Sequence, residues 1–89
     1  MKQPPEFFPD EEELALIYIA KRLKEALTVE DLLNEEGFDY LVEPDLYSGG
    51  LIFRTERIGA FFYVAPGKEA EARFALARKG FKPYDLGTD

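Results

Sequence analysis

The chain has 89 residues, with 11 Lys and Arg against 18 Asp and Glu for a net charge of −7, and it contains no cysteine and no histidine. That length gives one domain, because smaller pieces could not bury a core. The missing residue types exclude disulfides, thiolate metal sites, thiol nucleophiles and imidazole general bases, and the negative charge argues against nucleic acid and anionic membrane, which need a basic footprint.

No apolar run approaches the ~20 residues that span a bilayer. The N-terminus lacks the basic and apolar regions of a signal peptide, so a cytoplasmic location is expected. The first segment, "MKQPPEFFPDEEE", reads as a tail over 1–13, because three prolines and four consecutive acids fit no ordered element. Phe7 and Phe8 are its exception, apolar enough to dock on the domain or on a partner. "LALIYIA", 14–20, is apolar on every side and short, and it predicts a buried strand. The competing reading is a helix entered through Asp10 and Glu13 as cap and box.

"RLKEALTVEDLLNEEG", 22–37, predicts an amphipathic helix with Ala26, Val29, Leu32 and Leu33 on its apolar stripe. Gly37 supplies the left-handed residue that ends it. "FDYLVEP" alternates as a strand, with Phe38, Tyr40 and Val42 on one face and Asp39, Leu41 and Glu43 on the other, and Pro44 is expected to stop it. A loop over 44–58 follows. "GAFFYVA", 59–65, is a second continuous apolar strand, Pro66-Gly67 turns the chain, and "KEAEARFALARKG" is a second helix ended by Gly80. "FKPYDL" is a last short strand, and 87–89 a C-terminal tail.

The order is βαββαβ. Shifting the chain by 43 residues lays Val29 on Ala72, Leu32 on Ala75, Leu33 on Leu76, Gly37 on Gly80 and Phe38 on Phe81. Two similar βαβ halves predict an α+β, ferredoxin-like sandwich over 14–86, with two helices on one face of a four-stranded antiparallel sheet. Right-handed crossovers place the first and third strands centrally. Those two are the strands that are apolar on both faces, while the expected edges carry Asp39, Glu43, Lys82 and Pro83.

Helices on one face leave the other bare, and alternate residues of the central strands make it apolar. Tyr18, Phe61, Phe62 and Tyr63 are the interface candidates, since strand period alone leaves open whether Phe61 and Tyr63 or Phe62 and Val64 face outward. A bare patch of this kind predicts a homo-oligomer joined through the sheet. The alternative is that the tail with Phe7 and Phe8 folds back over it.

The stretches "VEDLLNEEGFDY" and "VAPGKEAEA", within roughly 14–82, resemble a family of small bacterial signal-transducing domains of unknown function, similar in fold to the nitrogen-regulatory PII proteins. The resemblance implies a ferredoxin-like fold and no established enzymatic activity, and it supplies no functional residue. The 44–58 loop sits where PII proteins place a longer effector-binding loop.

"YSGGLIFRTERIG", 47–59, holds the candidate binding residues Tyr47, Gly49, Gly50, Arg54 and Arg57. Glycine backbone N–H groups can face an anion while arginines clamp it, but the same residues also fit a solvated hairpin. No P-loop Lys follows. Ser48, Thr28, Thr55 and Thr88 have no histidine base, no catalytic residue emerges, and neither metal nor cofactor is expected. Asp39, Glu43 and Asp45 read as the charges of an edge strand rather than as cation ligands.

Two functions fit. One is a non-enzymatic regulatory or protein-interaction module that self-associates through its sheet and meets a protein partner or small anionic ligand. The other is a small dimeric α+β-barrel enzyme, or small-molecule-binding protein, with a pocket between paired sheets.

Overall fold

The computed structural model describes residues 1–9, 13–49 and 55–84. Within them the chain is α+β, with a three-stranded antiparallel sheet and two helices. Strands β1 (Ala15–Ala20), β2 (Leu41–Gly49) and β3 (Thr55–Val64) lie in the order β1-β3-β2, so the longest strand takes the centre. Helix α1 (Leu23–Glu35) joins β1 to β2, and α2 (Glu69–Arg78) follows β3 through a short 3-10 turn at Pro66–Lys68.

The internal repeat is a repeat of structure. Gly37 and Gly80 both take positive φ, at 81° and 91°. Phe38 N–H donates to Leu33 O at 3.0 Å, and Phe81 N–H donates to Leu76 O at the same distance. Each helix therefore ends in the same glycine cap, which satisfies carbonyls that the last turn would otherwise leave unpaired. Both caps fold the next phenylalanine onto the core, and the equivalent pairs Val29 and Ala72, and Leu33 and Leu76, are fully buried. At its start α1 has no side-chain cap on Arg22. Instead the Glu25 carboxylate accepts the Lys21 backbone N–H at 3.1 Å and the Tyr18 hydroxyl, which ties the helix to β1.

The hairpin is longer than the sequence predicts. Pro44 does not stop β2, which runs to Gly49, and β3 begins at Thr55, so most of the expected 44–58 loop is ladder. Pro44 pairs with Ala60 on an edge strand, where a missing N–H costs no bond. Beyond Gly59 and Asp45 the hairpin projects past the end of β1, whose pairing with β3 stops at Ala20 and Ala60.

The expected fourth strand is not formed within 81–84. Tyr84 N–H donates to Ile17 O at 2.7 Å, but Pro83 has no N–H to offer. The Arg73 guanidinium takes the place of a ladder there. It donates to Leu16 O at 3.2 Å and to Tyr84 O, while its Nε meets Glu69 at 2.9 Å. At the opposite edge, residues 1–3, expected as part of a tail, lie beside β2. Lys2 bridges Tyr40 in parallel, Gln3 N–H donates to Tyr40 O at 2.7 Å, and Lys2 Nζ pairs with Glu30 at 3.3 Å.

Candidate interaction surface

The sheet presents two different faces. Ile17, Tyr40, Phe62 and Val64 point to the helices and are fully buried among Val29, Leu33 and Leu76. Leu16, Ile19, Leu41, Phe61 and Tyr63 stand on the other face, outside that core. The registers place Leu16 and Leu41 on either side of Tyr63, and Ile19 and Glu43 on either side of Phe61. Of the sequence's interface candidates, Phe61 and Tyr63 therefore lie on the outer face, and Tyr18 and Phe62 do not.

Tyr18 departs from simple alternation for a reason. The β1–β3 register shifts between Leu16 and Tyr18, so Ile17 is an extra residue and both it and Tyr18 enter the core. Tyr18 packs edge-on to Phe81 and donates its hydroxyl to Glu25. Burial, the Glu25 bond and the Glu25 charge together push the Tyr18 phenol well above the ordinary tyrosine range.

The outer face is only partly open to solvent. Phe61 and Leu41 are only 8% and 7% exposed, while Leu16, Ile19 and Tyr63 are half-buried. Tyr47 lies across Gly59. A Cβ at Gly59 would stand 3.0 Å from Tyr47 Cε1 and 3.1 Å from Ile19 Cγ2, so a side chain there would press on the Tyr47 ring and on Ile19. The Lys21 ammonium sits 5.4 Å from the centre of that ring. Glu43 and Asp45 stand on β2 at the same face. Burial first, and then the Glu43 and Asp45 charges, raise the Tyr63 phenol above its usual value.

Among the described residues the loop candidates do not gather into one pocket. Tyr47 is a sheet-packing residue, Arg57 is exposed opposite it, and Gly49 is the last residue of β2, opposite Thr55. Gly50 and Arg54 lie outside the described residues. Asp39 is apart from Glu43 and Asp45: it accepts the Gln3 amide at 3.1 Å and lies 3.8 Å from the N-terminal amine. Phe8 is buried and lines a cleft with Phe7, Phe38 and Ala65, where α1 ends and α2 begins. Arg73 was not singled out by sequence. An arginine facing two backbone carbonyls is invisible to periodicity, because its partners are 57 and 11 residues away.

Among the described residues no helix is long and apolar enough to cross a membrane. No family model, curated protein or solved structure matches the chain.

Proposed function

We propose that the chain is a non-enzymatic regulatory or protein-interaction module that self-associates through the outer face of its sheet. The observation that carries this reading is the row of apolar side chains at Leu16, Ile19, Leu41, Phe61 and Tyr63, on the face opposite to that covered by α1 and α2. Phe61 and Leu41 are already shielded by neighbours, so a second copy gains chiefly by covering Leu16, Ile19, Tyr63 and Tyr47. Apolar area removed from water contributes roughly 25 cal/mol per Å² before the costs of association.

The full fold on this reading is ferredoxin-like, with the segment around Tyr84 on the outer edge of β1. The order β1-β3-β2 and the Tyr84–Ile17 bond support it, and so does the repeated glycine cap. The resemblance to small signal-transducing domains agrees with a role in binding. A second reading, a pocket between paired faces as in dimeric α+β-barrel proteins, is favoured by Tyr63 beside Glu43 and Asp45.

The test is the concentration dependence of backbone amide NMR shifts. Shifts at Leu16, Ile19 and Tyr63 that grow with concentration, while those of α2 stay fixed, are expected. Concentration-independent spectra across the sheet would reject self-association. Saturable binding of an apolar dye that follows the paired species would favour the pocket over the solid pack.

A further inference from the structure

The outer face of the sheet changes character along its strands. One row across them is Leu16, Tyr63 and Leu41, the next is Ile19, Phe61 and Glu43, and the third is the level of Gly59, with Asp45 beside it on β2. Lys21 follows Ala20, where the pairing of β1 with β3 stops, so it stands at that third level on the β1 side. Its ammonium lies over the Tyr47 ring, which crosses Gly59. Arg57 is one row further out, opposite Tyr47. Alternation along the strands and the Tyr47 contact set these four charged residues on the face opposite to the helices. The face therefore runs from an apolar row to a charged end beside the hairpin.

The charges are also sorted from side to side. Both anions, Glu43 and Asp45, belong to the edge strand β2, while Lys21 is on the β1 side and Arg57 on β3. All four are exposed, and among the described residues none of them makes a salt bridge within the chain. Lys21 and Asp45 are separated by the width of β3, two strand spacings or about 10 Å. Asp45 Oδ1 accepts the Leu46 N–H at 2.7 Å, which holds the carboxylate at that end of the face. A wholly acidic or wholly basic partner would meet like charge here. A second copy of the same face, turned over, would not.

We propose that the second copy sits on this face with its twofold axis along the strands, so that Lys21 of each copy meets Asp45 of the other. It rests on the reading of sheet pairing above and adds to it the orientation and the residues that set it. A twofold contact is reciprocal, so the ion pair forms twice. An axis along β3 exchanges the β1 and β2 sides and keeps like ends together: Leu16 faces Leu41, and the charged end faces the charged end. Arg57 then comes diagonally to the same Asp45 carboxylate. An axis across the strands would instead lay Lys21 and Asp45 against Leu16 and Leu41, which takes charges out of water without a partner. Stacked sheets lie about 10 Å apart, a gap that a lysine and an aspartate side chain span together. Such pairs fix register and orientation, while the apolar row supplies most of the affinity.

The experiment measures molar mass by sedimentation equilibrium for the full natural chain, for Lys21→Glu, for Asp45→Lys, and for an equimolar mixture of the two variants. Alone, each variant sets like charges together twice. In the mixture every contact between unlike variants regains opposite charges. Each variant alone is expected to dimerise about tenfold or more weakly than the natural chain, and the mixture to recover the natural dimer. Recovery on mixing also shows that both variants are folded. A natural chain that dimerises while the single variants pair equally well, or while their mixture stays apart, would overturn this orientation and leave the sheet pairing standing. A natural chain that stays at 10.2 kDa would overturn the sheet pairing itself, and the orientation with it.

Discussion

Tyr18 joins three parts of the molecule: it fills the core beside Phe81, holds Glu25 at the start of α1, and keeps its proton above the usual tyrosine range. In the unfolded chain a tyrosine deprotonates near pH 10, about its unperturbed value. The folded phenol is protonated beyond that, so above about pH 10 the unfolded state binds fewer protons and stability falls as pH rises. Tyr40 and Tyr63 shift in the same direction, each through burial first. Urea melts from pH 7 to 11 should therefore show stability that is level at first and then declines, and Tyr18→Phe should make the decline shallower while costing about 1 kcal/mol at neutral pH. An unchanged alkaline slope would show that Tyr18 does not carry it. Leu33 and Leu76, both fully buried at equivalent helix positions, should each cost about 2–5 kcal/mol when cut to alanine in the same melts. Arg57 is exposed, and Arg57→Ala should shift stability by no more than about 0.5 kcal/mol.

At the scale of elements, the two helix ends and the Arg73 clamp decide how the halves are closed. Gly37 and Gly80 sit at positive φ with open space where a Cβ would go, so alanine there costs backbone strain and not a clash. Gly37→Ala and Gly80→Ala should each lower stability by about 1–2 kcal/mol, and asparagine at either site by less. Arg73→Ala should cost about 1.5–3 kcal/mol, because charge-assisted bonds to Leu16 O and Tyr84 O are lost. It should also speed hydrogen exchange at the Tyr84 amide, which bonds Ile17 O. The helix faces, both caps and the pairing of opposite sheet faces were legible in the sequence, because each follows from a local period or a local glycine. The bulge at Ile17 was not, since it depends on register against β3, and without it Tyr18 reads as an outer-face residue. The length of the hairpin was hidden by Pro44, which stops a central strand but not an edge. Of the expected fourth strand, 81–84 make one backbone bond to β1, from Tyr84 to Ile17, and residues 85 and 86 lie outside the described residues. Strand period leaves open whether Phe61 and Tyr63 or Phe62 and Val64 face outward, and only the packing of β3 against the helices decides it.

For the whole molecule, the central claim is that the outer sheet face joins two copies. A chain of 10.2 kDa has a small core, and covering Leu16, Ile19, Tyr47 and Tyr63 adds apolar burial that the monomer lacks. Ile19→Glu places a charge in the middle of that face and should separate the copies while each stays folded. The most direct measurement is molar mass by light scattering, on the full chain and on Ile19→Glu, over a range of micromolar concentrations. A mass that rises to at least twice 10.2 kDa for the natural chain and stays at 10.2 kDa for the variant is predicted. A mass of 10.2 kDa for the natural chain at every concentration would contradict the account.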